Sequence, residues 1–125
     1  MIEREWLCKM ETPAIYDIVI RKGNDFSEVF EFQNDDSTPM NLTGWTVLSQ
    51  LRKGKKRESE LIVDFTIDIP DPSNGKVYQT LTDAQTDAIA IDIAYYDILF
   101  ISPSGFDETY VEGTVTINPS VTKKK

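Results

Sequence analysis

The chain contains no histidine and a single cysteine, Cys8, among its 125 residues. Without histidine, Ser–His and Cys–His catalysis lack their usual general base, and the commonest metal ligand is missing. One cysteine can neither close an internal disulfide nor build a zinc site from several thiolates. These absences exclude disulfide-stabilised folds and the most familiar nucleophilic enzymes.

Long apolar runs and glycine-rich loops are absent as well. No stretch approaches the ~20 apolar residues of a membrane span, and no signal segment is recognisable, so we expect no membrane partner. The six glycines are isolated, which excludes a phosphate-binding loop. Calcium prefers oxygen ligands, but no calcium-loop spacing occurs, and turn propensity explains the loop residues that could bind it. These residues are Asp35, Asp36, Asp68, Asp71 and Asn74. We predict no cofactor and no metal.

Positive charge is scarce and unevenly placed. The chain has 13 lysines and arginines against 21 aspartates and glutamates, a net charge of −8. Seven of the cations lie in two short runs, at residues 53–57 and 123–125, which leaves six cations against all 21 acids elsewhere. Such an acidic body repels phosphate backbones, so we expect no nucleic-acid partner. We predict a solvated loop for the first run and a flexible basic tail over residues 119–125.

The sequence does contain short blocks in which apolar and polar residues alternate, separated by turn residues. The clearest block has apolar side chains at every second position, at Leu61, Val63, Phe65, Ile67 and Ile69. About seven such strands predict an all-β fold, an immunoglobulin-like antiparallel β-sandwich formed by residues 15–118. Trp45 is the predicted core tryptophan.

One segment departs from the alternation. Thr82 and Gln85 have the spacing of a capping box, which predicts a short helical crossover between the two sheets. Beyond it, residues 93–101 are apolar on both faces, as is typical of a central strand. The tyrosines of the last strands fit core or cross-strand positions better than a carbohydrate-stacking platform. They are Tyr95, Tyr96 and Tyr110.

Residues 1–14 do not follow the sandwich pattern, and we treat them as an N-terminal arm. Either the arm packs on its own sandwich, or it docks on a neighbouring subunit. If the arm did neither, its tryptophan would be part of an exposed apolar patch of the kind that binds other proteins. The predicted interaction residues of the arm are Met1, Ile2, Trp6, Leu7 and Met10.

Four phrases, in order along the chain, resemble those of a known family. They are IVIRKGNDF at 18–26, PMNLTGWTV at 39–47, GKV at 75–77 with LTDAQT at 81–86, and YDI at 96–98 with EGTVTI at 112–117. Residues 15–118 thereby resemble the N-terminal domains of phage baseplate upper proteins and related stand-alone tail or fibre-attachment proteins. The arm lies outside this resemblance.

The resemblance implies a sandwich fold, a structural role in the virion and no catalytic residues. We therefore expect a non-enzymatic tail, baseplate or fibre-adaptor protein, located in the virion and oligomeric within the particle. Its partners would be other virion proteins, contacted through the arm and the sandwich edges. The alternatives are a carbohydrate- or host-surface-binding module and a capsid decoration protein. An enzyme would need a convergent acid pair with one raised pKa.

Overall fold

The computed structural model describes the backbone of residues 3–7 and all of residues 14–34 and 36–122. Strands alternate with turns along nearly all of this part of the chain. The elements, in chain order, are β1 (Glu3–Leu7), β2 (Ala14–Ile15), β3 (Ile18–Arg21), β4 (Phe26–Gln33), β5 (Thr46–Arg52), β6 (Leu61–Asp64), β7 (Thr66–Asp68), a 3₁₀ turn (Pro72–Asn74), β8 (Lys76–Leu81), α1 (Asp83–Asp87), β9 (Ile93–Ile101) and β10 (Asp107–Asn118).

The strands form two sheets. Sheet A has the order β1-β4-β8-β7, and sheet B has the order β2-β10-β9-β5-β6, with β3 also pairing β10. The predicted β-sandwich is confirmed, and the later strands pair antiparallel. The N-terminal strands differ, because β1 joins β4 and β2 and β3 join β10 in parallel. Two strands joined by a tight hairpin must run antiparallel. No such hairpin joins β1 to β4, or β2 and β3 to β10, so these pairs can be parallel.

The core lies between the sheets, where the inward side chains of each strand interlock. On β9 the inward residues are buried, and the Phe100 ring lies 4.7 Å from the Phe32 ring of sheet A, centroid to centroid. The ring of Tyr110, on β10, lies 4.6 Å from the same Phe100. Burying each such aromatic ring stabilises the fold by about 1.5–3 kcal/mol. Trp45 packs half-buried at the rim of this core, 6.2 Å from Phe100.

The block predicted as one strand from residue 61 to residue 69 is two strands. β6 belongs to sheet B and β7 to sheet A, so the chain changes sheets at Phe65. Phe65 is 5% exposed, and its N–H donates to the Ser49 carbonyl at 3.0 Å. Alternation shows which side chains point inward, but it does not show which neighbouring strand the backbone bonds. This division, together with the break between β2 and β3, raises the strand number above the predicted seven.

The predicted helical crossover is confirmed as α1, which connects β8 of sheet A to β9 of sheet B. Its capping box is complete, because the Gln85 N–H donates to the Thr82 hydroxyl and the Thr82 N–H donates to the Gln85 side chain. The buried Thr86 hydroxyl donates to the Asn24 carbonyl at 2.8 Å and accepts from the Gly23 N–H at 3.0 Å. In the described part of the chain, no helix has the length and hydrophobicity needed to cross a membrane.

A polar network fixes the point where the N-terminal strands meet both sheets. The Tyr96 hydroxyl donates to the Tyr16 carbonyl at 2.6 Å, and the Tyr16 hydroxyl donates to the Glu28 carboxylate at 2.8 Å. Burial raises the pKa of Tyr96 well above its ordinary value, and the negative charge of Glu28 raises it further. Gly113 is required beside this network, because a Cβ there would overlap the Tyr16 carbonyl oxygen. The segment leading out of the arm is thus anchored to β4, β9 and β10.

Candidate assembly and binding surfaces

The first candidate surface is the free edge of sheet A, formed by β1. Its residues align in parallel with β4 in one continuous register, from Glu3 opposite Val29 to Leu7 opposite Gln33. Within the described residues β1 pairs with no other strand, so the far side of β1 is the edge of the sheet. An edge strand presents unpaired N–H and C=O groups that another chain can bond.

Two of the predicted interaction residues of the arm belong to this strand. Trp6 and Leu7 are in β1, at the backbone positions opposite Phe32 and Gln33. Met1, Ile2 and Met10 lie outside the described residues. In this single chain β1 bonds to its own β4. Docking of the arm on a neighbouring subunit stays a prediction.

Three exposed apolar side chains lie on sheet B. Ile15 on β2 is 70% exposed, Val19 on β3 is 63% exposed and Ile93 on β9 is 52% exposed. Val19 and Ile93 flank the same β10 residue, Thr116, on the outer face of sheet B. Apolar residues grouped at a sheet edge are typical of protein–protein contacts. Alternation alone did not reveal that Val19 and Ile93 are neighbours, because only the strand order brings them together; Ile15 lies farther along β10, opposite Glu112.

The second candidate surface is a cleft of about 670 Å³ on the outer face of sheet B. Its floor is formed by β5, β9 and β10, and the basic loop between β5 and β6 forms one wall. The four cations of that loop are exposed, as predicted for a solvated loop. The Lys55 ammonium nevertheless lies 5.6 Å from the centre of the Tyr95 ring on the floor. Tyr95 and Tyr96 both line the cleft, but Tyr96 and Tyr110 are buried, so the half-buried Tyr95 is the more accessible of the predicted tyrosine set there.

An acid pair lies at the centre of the cleft floor. Asp97 on β9 is directly opposite Glu112 on β10, an arrangement of like charges that destabilises a sheet. Partial burial raises the pKa of Asp97, and the charge of Glu112 raises it further, while Arg57 and Arg52 act in the opposite direction. Sequence reasoning missed this pair because a bulge between Thr109 and Val111 shifts the register by one residue. If residue pairs are counted from the turn between β9 and β10 without allowing for the bulge, Asp97 is not placed opposite Glu112.

The acid pair is the feature that the enzyme alternative requires. Both Asp97 and Glu112 are, however, accessible to solvent within the cleft. Acid–base catalysis gains most where a closed site excludes water from the reacting groups. Carboxylates beside arginines and an aromatic ring are groups that can bind a polar ligand.

Hydrogen bonds within the turns account for the aspartates in two of the loops that were considered as calcium sites. The Asp36 carboxylate accepts from the N–H and hydroxyl of Thr38, and the Asp71 carboxylate accepts from the same groups of Ser73. These hydrogen bonds lower the pKa of both aspartates. Among the residues that the structure describes, no three acidic, cysteine or histidine side chains lie close enough to share a metal ion. Asp35 is outside that set.

The two-sheet architecture is that of a β-sandwich domain. In particular, the fold is similar to that of the N-terminal domain of ORF48 of phage TP901-1, with a TM-score of 0.58 and 13% sequence identity. The similarity covers 94% of this chain and 99% of that domain. The resemblance drawn from the four phrases is therefore confirmed at the level of the fold. No family model and no curated protein matches the sequence.

Proposed function

We propose that the chain is a non-enzymatic structural component of a phage particle, a tail, baseplate or fibre-adaptor protein held by other virion proteins. The observation that carries this proposal is β1, a strand of the arm at the open edge of sheet A. The similarity to a phage N-terminal domain over nearly the whole of both chains supports it. A capsid decoration protein would use the same contacts at another place in the particle.

Two kinds of contact would hold the chain in an oligomeric assembly. The β1 edge supplies main-chain hydrogen bonds, the means by which proteins add a strand from a partner to a sheet. The exposed side chains of Ile15, Val19 and Ile93 supply apolar area on sheet B. Permanent assemblies commonly bury upwards of ~2,000 Å², which is more than one five-residue edge provides. The edge and the apolar group would therefore act together.

Removal of residues 1–12 tests the proposal. We expect the shortened chain to keep its fold, because β1 pairs with no described strand other than β4. Circular dichroism and thermal unfolding would confirm the fold, and quantitative mass spectrometry of purified particles would show the chain missing. A matched variant that lacks residues 119–125 should be incorporated normally. Normal incorporation of the chain without residues 1–12 would contradict the proposal.

A second candidate function is the binding of a surface saccharide in the cleft on sheet B. It is favoured by the Tyr95 ring beside the planar polar groups of Asp97, Glu112 and Arg57 within one concave site. Ligand sites combine apolar or aromatic surface with a few convergent polar groups in this way.

The saccharide candidate is tested with immobilised bacterial surface polysaccharides. Binding by the full chain, reduced about tenfold or more in Tyr95→Ala, would support it. Val121→Ala, which changes a side chain outside the cleft that is 99% exposed, is the matched control and should bind normally. No binding to any polysaccharide would remove this candidate. Release of new reducing ends would instead indicate a hydrolase.

A further inference from the structure

We infer that β1 is an exchangeable strand, so that residues 3–7 of one copy of this chain pair with β4 of a second copy. This inference rests on the proposed assembly role of the arm and specifies its partner. The parallel register that places Glu3 opposite Val29 and Leu7 opposite Gln33 would be the same between copies as within one chain. Exchange of an identical element is a low-cost route to association, because the strand pairing formed between copies replaces an identical pairing within each chain.

The first step of the argument is that β1 can leave without disturbing the rest of the sandwich. Among the described strands β1 pairs with β4 alone, whereas β4 is also held by β8 over six residue pairs. The residues at which the N-terminal segment joins both sheets, Tyr16 and Glu28, are bonded to each other and lie outside β1. A chain whose β1 is displaced therefore keeps both sheets and the core between them.

The second step concerns the edge that a departing β1 would uncover. β4 is eight residues long, and Val29, Phe30 and Phe32 on it are at most 1% exposed. A long apolar strand with a bare edge bonds to any available strand, and native proteins avoid exposing one. In the assembled protein we therefore expect a strand to cover the β4 edge. The segment shown to fit it is Glu3–Leu7, which each copy carries.

The third step is that the connection from β1 is long enough for exchange. β1 belongs to sheet A and β2 to sheet B, and six residues separate the two strands. The seven Cα steps from Leu7 to Ala14 can span at most about 25 Å. Facing sheets are only about 10 Å apart, so the connection is longer than the crossing within one chain requires. The same length reaches the β4 edge of a copy packed alongside.

Two single-cysteine variants test the exchange. In a Cys8→Ser background, one full-length chain carries Glu5→Cys and a second, lengthened by a tag, carries Glu31→Cys. Residues 5 and 31 are register partners, and paired strands bring Cα atoms within disulfide distance. Neither chain can form this bond alone, because each has one cysteine. After co-expression, concentration and mild oxidation, we expect a covalent pair of the two chains on non-reducing gels.

The matched control replaces the Glu31→Cys chain with an Asp87→Cys chain, whose exposed cysteine lies on α1, away from the β4 edge. We expect at least about tenfold more covalent pair from the register partners than from this control. Equal yields would overturn the inference and leave β1 as a strand of its own chain. In particles that contain the Glu31→Cys chain, a disulfide to a different virion protein would also overturn it. Failure of exchange would leave the proposed function standing if deletion of residues 1–12 still prevents incorporation.

Discussion

At the scale of single residues, alternation identifies which side chains point inward but not whether their polar groups find partners. Gln79 illustrates this, since it lies on the inward face of β8 and is fully buried, yet its side-chain Nε2 and Oε1 have no hydrogen-bond partner among the residues that the structure describes. Asp97 shows the same limit on the outer face. Its pKa depends in part on Glu112, which lies opposite it only because of the register between β9 and β10. The inward and outward positions could be predicted from the sequence, whereas these environments depend on contacts between distant strands.

The raised pKa of Asp97 predicts how stability changes with pH. The folded state binds the Asp97 proton more tightly than the unfolded state, so this residue's contribution to stability is lost as the pH rises through its raised pKa. Asp97→Asn should therefore raise the Tm at pH 7. The gain should shrink near pH 3, below the ordinary aspartate pKa of about 3.9.

Thermal unfolding of Asp97→Asn at the two pH values checks this prediction. Val121→Ala, which changes an exposed side chain outside the cleft that carries no titratable group, is the control and should leave the Tm unchanged at both pH values. A lower Tm for Asp97→Asn at pH 7 would contradict the prediction and show that the carboxylate is stabilised by Arg57 of the loop and Arg52 of β5.

At the scale of elements, local signals predicted what local interactions determine. The capping box identified α1 because Thr82 and Gln85 bond to each other within one turn. The sheet change at Phe65 and the parallel strands at the N-terminus could not be predicted in the same way. Both depend on which distant strand has an unpaired edge, and the spacing of residues in the sequence does not indicate which strand that is.

The hydroxyl of Thr86 should be essential to the packing of α1 against the turn at Gly23 and Asn24. Thr86→Val keeps the shape of the side chain but leaves the Gly23 N–H and the Asn24 carbonyl without this partner. We expect a loss of about 1–3 kcal/mol in the free energy of unfolding. Thr86→Ser, which retains the hydroxyl, is the control in urea denaturation and should lose less. Equal stability of Thr86→Val and the wild type would mean that water replaces the hydroxyl.

At the scale of the whole molecule, the sandwich keeps its two candidate surfaces apart. The β1 edge belongs to sheet A, and the cleft lies on the outer face of sheet B. A chain held through the β1 edge alone would thus keep the cleft available to a second partner, whereas burial of Ile15, which lines the cleft, would reduce that access. The order of the four phrases was enough to anticipate the fold, because turns and alternation recur at fixed distances in that architecture. The arm has no such phrases, and its position could be stated only as two alternatives.

The most direct measurement of the central claim is a high-resolution map of the assembled particle that contains this chain. We predict density for residues 3–7 as a strand at an interface, paired in parallel with residues 29–33 of a neighbouring copy, with Ile15 and Val19 buried against a virion protein. A map in which the arm faces solvent and touches no other subunit, or particles that lack the chain, would contradict the account.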